Sequence, residues 1–221
     1  MNKIVEILKP TIEQTIKKLN EKKFKPDPIG GEHFSRIVSL MSSAYKRHGF
    51  IIEKAILESL KQRQELIAWD TYNFHVSKVA DHLVDEAINN PEKLVGATVP
   101  YSEPADRKLQ IDTLVYSKKT KTLKCYEIKR GNGLHDAGKR RSILRDAMCA
   151  QVLLKSYGEQ KELEVTGTAS HVIFYYGACS LPKPFSLTAS ELNEHFNYDI
   201  QADIEEVNHY FKERLYQLIS G

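Results

Sequence analysis

The stretch LQIDTLVYSKKTKTLKCYEIKR, residues 109–130, decides how this chain is read. Its two ends, 109–117 and 122–130, are short runs rich in β-branched and aromatic residues, and the polar KKTK between them suits an antiparallel hairpin connection. Side chains alternate along a strand, so Glu127 and Lys129 share one face while Ile128 takes the other. Hairpin pairing brings Asp112, which stands between Ile111 and Thr113, alongside the Glu127 region. Two carboxylates and an ammonium then meet on one sheet surface. Carboxylates so close repel unless a cation lies between them. Hard oxygen ligands with open coordination positions suit Mg²⁺, which keeps waters and accepts phosphate oxygens.

Outward from the hairpin, GNG is followed by a helical pattern over 137–157, capped by Asp136, and then by SHVIFYYGA (170–178), a nearly continuous apolar strand of the kind buried on both faces. Upstream, VGATVPYS (95–102) reads as a first strand. Before it the chain is mostly helical. Apolar spacing predicts a helix over 32–67 that pauses at Gly49, and another over 70–89. Residues 3–19 carry Ile4, Ile7, Leu8, Ile12, Ile16 and Leu19 near helical spacing, interrupted by Pro10, and KFKPDPIGGE closes that arm with a linker. A last helix covers 200–219. The predicted order is α, β, β, β, α, β in an α/β (α+β) chain. It reads as one domain over 1–221, with a helical extension at 1–48, a core at 49–180 and a helical segment at 181–221. No repeat of 20 to 50 residues is visible.

Within RHGFIIEKAILESL, Phe50, Glu53, Leu57 and Leu60 follow i, i+3, i+7 and i+10, so Glu53 falls on an apolar stripe. A carboxylate there needs a metal or an ion-pair partner, such as Arg47 or Lys129.

With 221 residues, 41% hydrophobic and 28% charged, the chain can bury one full core. No apolar run approaches the roughly 18 residues of a membrane span, and the N-terminal residues lack a secretory pattern. Three cysteines, Cys125, Cys149 and Cys179, are too few and too far apart for a disulfide framework or zinc ribbon. A reducing cytoplasm is the expected setting. The formal net charge is only +3, but residues 118–145 hold ten basic residues against two acidic ones, a local +8 that leaves the rest at −5. Such concentration suits contact with phosphate, and Arg130, Lys139, Arg140, Arg141 and Arg145 are the candidates.

Asp112 followed on the next strand by Glu127-Ile128-Lys129, within an αβββαβ order, resembles the PD-(D/E)XK nuclease superfamily, which includes many restriction endonucleases. The resemblance covers roughly residues 50–178, with Ile111 where the family often has proline. It implies a restriction endonuclease-like core with a mixed sheet and a catalytic set of Asp112, Glu127, Lys129 and Glu53. Mg²⁺, for which Mn²⁺ can substitute, would be held by Asp112, Glu127, the Ile128 backbone carbonyl and Glu53 as a further ligand candidate. It further implies hydrolysis of phosphodiesters in duplex DNA to 5′-phosphate and 3′-hydroxyl ends. The small size resembles a type II restriction endonuclease, with a two-fold homodimer reading a palindromic site and a cognate DNA methyltransferase in the same system. A structure-selective or repair nuclease and a non-catalytic DNA-binding relative are the alternatives.

Other motifs carry less. His75 and His82, seven apart beside Asp81 and Asp85, could share a helix face but form no close ligand pair. GNGLHDAG lacks the lysine-serine/threonine ending of a phosphate-binding loop. Cys125 reads as a small buried residue. Gln151 lies where RecB-like relatives use a glutamine, yet Tyr157 is off the usual Q-x-x-x-Y spacing, so it reads as a helix-contact residue.

Overall fold

The computed structural model describes residues 2–23, 25–94 and 96–220. They form a mixed α/β chain with six α-helices and a five-stranded open sheet among the described residues. No helix among them is long and apolar enough to cross a membrane. Two compact units divide the chain: residues 1–59 with 197–221, and residues 60–196.

The first unit contains α1 (Lys3–Asn20), most of α2 (Gly31–Lys61) and α6 (Gln201–Ser220). Asn2 caps α1, its side chain accepting from the Ile4 N–H at 2.8 Å, and α1 runs through Pro10. The helix α2 likewise passes through Gly49, where the sequence predicts a pause. Ala44, Ile51, Ile52, Ala55 and Ile56 on either side are buried, and this packing outweighs the low helix propensity of one glycine. Polar contacts tie the three helices: His48 Nε2 lies 2.9 Å from Asn208 Oδ1, and Asp203 accepts from Asn2 and Ser59 at 2.7 and 2.6 Å.

On α6, Arg214 grips Glu13 of α1 with Nε and Nη2 at 2.6 and 2.8 Å, and the Tyr210 hydroxyl donates at 2.6 Å. The Arg214 and Tyr210 hydrogen bonds hold the Glu13 carboxyl down to about 2. A depressed carboxyl adds stability above its unfolded value and loses it as pH falls through the folded one. Glu13→Gln is therefore expected to lower the melting temperature slightly at pH 7, with the gap to wild type closing between about pH 4.5 and pH 2. A gap independent of pH would show that the ion pair adds nothing.

The second unit holds the sheet: β1 (Leu66–Val76), β2 (Arg107–Ser117), β3 (Thr122–Lys129), β4 (Gly167–Phe174) and β5 (Ser186–Thr188), in that spatial order. β1, β2 and β3 pair antiparallel, and β3, β4 and β5 parallel. The helix α3 (Lys78–Ala87) lies between β1 and β2 in the chain, α4 (Ala137–Gln160) makes the crossover from β3 to β4, and α5 (Leu192–Phe196) follows β5. Asp136 caps α4, accepting from the Lys139 N–H at 2.9 Å. One face of the sheet packs Phe74, Leu114, Tyr116, Leu123, Cys125, Val172 and Phe174 against Ile143, Ala147, Val152 and Leu154 of α4. On the other face Tyr126 is fully buried, its hydroxyl 2.8 Å from His195 Nε2.

Two expectations for the first strand need correction. Residues 66–67 and 70–76, predicted as the end of one helix and the start of the next, belong to β1. The register shifts at Trp69/Thr71 and Thr71/Phe74 break the two-residue alternation that would reveal a strand. Residues 96–102, predicted with Val95 as a strand, form no strand, and Val95 itself lies outside the described residues. Pro100 cannot donate to a ladder, and the neighbouring amides bond to α4 instead: Val99 N–H to the Val152 carbonyl and Tyr101 N–H to Ser156 Oγ, both at 2.8 Å. The β composition of this segment serves the core, where the rings of Tyr101, Phe74 and Tyr157 meet at 4.9–5.2 Å. His75 is accordingly on a strand and His82 on a helix. His75 Nδ1 accepts the Ala105 N–H at 3.0 Å.

Candidate active site

The last registered pair between β2 and β3 toward the site is Thr113 with Tyr126, so the next position sets Asp112 level with Glu127 on the α4 face. There the ladder gives way. The Ile128 N–H donates to Asp112 Oδ2 at 2.7 Å instead of to a backbone carbonyl, and Gln110 Nε2 donates to Asp112 Oδ1 at 3.1 Å. The Lys129 backbone carbonyl accepts from Tyr175, which turns the odd residues of β3 toward β4 and the Ile128 carbonyl toward the β2 side, where Asp112 stands. The charges of the two carboxyls act on one another, and Lys129 Nζ donates to Glu127 Oε1.

Asp112 is only 8% exposed. Burial pushes its carboxyl up, opposed by the Ile128 amide and the Lys129 charge. Burial also pushes Glu127 up, and the Asp112 charge adds to the rise. Lys129 opposes it, and Asp146 of α4 adds a further negative charge. When both carboxylates are ionised they outnumber the one ammonium, and a cation would relieve that excess of negative charge. Their oxygens and a neighbouring carbonyl are hard donors of the kind Mg²⁺ takes, since Mg²⁺ keeps several waters and needs only one or two carboxylates. The described residues hold no cluster of three or more His, Cys, Asp or Glu able to hold a metal ion.

Glu53 sits half-buried on α2 between Phe50 and the buried Leu57, in the first unit. Its place among the metal ligands rests on the resemblance alone. Lys139, Arg140 and Arg141 are exposed on the first turn and a half of α4. Arg145 is committed elsewhere. Its Nε and Nη2 grip Asp85 at 2.6 and 2.9 Å and Nη1 reaches Asp81 at 2.8 Å, which weakens its standing as a phosphate contact. Arg130 stacks on Tyr176, its guanidinium 5.3 Å from the ring centroid. Gln151 donates to the carbonyl and hydroxyl of Thr168 at 3.1 and 3.2 Å. Thr168 pairs with Leu123, four residues before Glu127, so Gln151 joins helix to strand. Cys125 is buried and its thiol is pushed up to about 12 by burial; it donates to Ser170 Oγ. All three cysteines are free.

Sequence reading misses Gln110 and Asp146. Gln110 is accessible to it, since period two puts this residue on the Asp112 face. Asp146 depends on how α4 lies over the sheet, which no local pattern encodes.

The turn out of β3 is tight. Gly131 has φ +68°, and a Cβ there would lie 2.8 Å from the Phe174 carbonyl carbon and 2.9 Å from its Cα, backbone atoms that cannot yield cheaply. Gly131→Ala is expected to cost about 1–3 kcal/mol of stability, from left-handed strain and the clash together, read in urea melts. A loss below about 0.5 kcal/mol would show that the turn can open.

Compared with known proteins, the chain matches no family model, no curated protein and no solved structure.

Proposed function

We propose that this chain is a metal-dependent endodeoxyribonuclease of the PD-(D/E)XK kind. The observation that carries the reading is the neighbouring carboxyls of buried Asp112 and half-buried Glu127, with the Lys129 ammonium on Glu127, at the point where β2 and β3 part. The element order supports it: a long helix, three antiparallel strands, a crossover helix and a parallel strand, with α3 inserted after the first strand.

Asp112, Glu127 and the Ile128 carbonyl would hold Mg²⁺ or Mn²⁺. When bound, the ion supplies positive charge against the charge developing on the scissile phosphate and acidifies nearby water. Asp112 is held in place by the Ile128 amide and Gln110, so its orientation is set before substrate arrives. Lys129 orients the attacking water and offsets phosphate charge while keeping its proton. Arg130, Lys139, Arg140 and Arg141 contact the flanking phosphates, which sets affinity and register rather than sequence choice. The substrate in this reading is duplex DNA cut at a specific sequence by a homodimer, as in type II restriction endonucleases, with a methyltransferase protecting the host site. A structure-selective nuclease is the second reading, favoured by the exposed Tyr176 beside the catalytic strand.

Two measurements test this. Products should join under DNA ligase without prior phosphorylation, showing 5′-phosphate and 3′-hydroxyl ends; a requirement for kinase treatment would refute the mechanism. The Arg140→Ala/Arg141→Ala variant is expected to flatten the slope of log affinity against log salt by about 1–2, because each phosphate left unneutralised lowers that slope by about 0.9. An unchanged slope would remove both arginines from the interface.

A further inference from the structure

Beyond the ends of β3 and β4 the two chains stay paired: the Tyr175 and Tyr176 amides donate to the Lys129 and Arg130 carbonyls at 2.9 Å, and the Ala178 amide to the Gly131 carbonyl at 2.8 Å. The registered pairing of β3 with β4 ends at Lys129 and Phe174, and Tyr175 and Tyr176 are the central residues of a turn closed by the Gly177 N–H on the Phe174 carbonyl at 2.9 Å; Tyr176 is held beside the site by its contacts with Arg130, the residue after Lys129. Tyr176 is 45% exposed. It is also fixed in direction, held at 87° to the Tyr175 ring with centroids 5.3 Å apart, and by the Arg130 guanidinium at 5.3 Å. Next to it the loop 131–136 is fastened by the Gly131–Ala178 bond and by the His135 N–H on Ser180 Oγ at 3.0 Å. It presents Leu134 at 74% exposure.

A pre-oriented aromatic ring with a guanidinium on it is the chemistry that stacks nucleobases, and it binds at small entropic cost because the ring is already held. Bases inside a continuous duplex have both faces covered by their neighbours, so the ring can take only a base that has left the stack. An exposed leucine on an anchored loop is the kind of apolar group that wedges between base steps. We propose that Tyr176, backed by Arg130, forms a stacking subsite for an unpaired nucleobase next to the scissile phosphate, so that the DNA taken has a single-stranded or opened segment there. This rests on the structure-selective form of the nuclease reading and sharpens its substrate class.

The test is fluorescence anisotropy in metal-free buffer, where no hydrolysis occurs, with three labelled probes of equal length: a single strand, a forked duplex and a blunt duplex. Tyr176→Ala is expected to weaken single-strand and fork binding about 10- to 100-fold, the usual loss for one stacked base, and to change blunt-duplex binding less than about twofold. Tyr176→Trp should stay within about threefold of wild type on all probes, and equal melting temperatures for the two variants exclude a folding defect. Equal weakening on all three probes, no weakening on any, or failure of the wild type to bind any probe would overturn the subsite. Cleavage with Mg²⁺ is scored separately. Loss of the Tyr176 effect with cleavage intact rejects the subsite alone, whereas a Tyr176 effect without cleavage rejects the nuclease reading alone.

Discussion

Asp112→Asn is expected to lower DNA hydrolysis at least about 10²-fold while leaving the metal-free protein as stable as wild type or slightly more so. The two effects have one cause. Asp112 is buried beside a second acid, and burial pushes both carboxyls up, which means that ionising them costs the folded state. A carboxyl whose folded value is raised loses stability as pH climbs from its unfolded value through the folded one, so at neutral pH the amide escapes a cost that the acid carries. The amide oxygen can still accept the Ile128 N–H that Asp112 accepts at 2.7 Å. What it cannot do is supply the negative oxygen that a divalent cation requires. Glu127→Gln and Lys129→Ala should reduce hydrolysis to a similar extent. Single-turnover cleavage and urea melts on the same samples check this. Rates within about tenfold of wild type would remove these residues from the chemistry, and a loss of more than about 2 kcal/mol would make Asp112 structural.

The second large effect is on stability. Arg107→Ala is expected to cost about 2–4 kcal/mol, because it leaves partly buried carboxylates without their cation. The Arg107 guanidinium spans two elements: Nε and Nη2 hold Asp81 of α3 at 2.8–3.1 Å, and Nη1 holds Asp146 of α4 at 2.8 Å. Asp81 also takes the Cys149 thiol at 3.3 Å and Arg145 at 2.8 Å, so one carboxylate locks α3, β2 and α4 together. Burial opposes the ionised Asp81, while the bonds from Arg107 and Cys149 outweigh it and hold its carboxyl down. Arg107→Lys should recover little, since an ammonium cannot fork between two carboxylates. A loss under about 0.5 kcal/mol for Arg107→Ala would show that water replaces the guanidinium without cost.

The parts of this molecule that can be read from sequence are those whose signal is local. β2 and β3 follow from alternation across a four-residue connection, and α4 from its cap and apolar face; pairing the two strands then sets Asp112 against Glu127 by register alone. The first strand is hidden because β1 is irregular at Asp70 and again before Phe74. Residues 95–102 take its place in a local reading, since the strand-like composition around Val99 and Tyr101 serves core packing and their amides bond to α4. Arg145 reads as part of a free basic helix face because its partners, Asp81 and Asp85, lie some 60 residues upstream on a helix whose docking the sequence does not show. Gly49 reads as a break because propensity is local, while the buried residues that carry α2 past it are not.

The most direct test of the central claim is incubation of the purified chain with long unmethylated duplex DNA and Mg²⁺, with Lys129→Ala as control. Cleavage by the wild type and intact DNA with the variant are expected; discrete fragments would mark a fixed recognition sequence, and trimming or a smear a structure-selective enzyme. Intact DNA with the wild type in both Mg²⁺ and Mn²⁺, or equal cleavage by the variant, would contradict the claim.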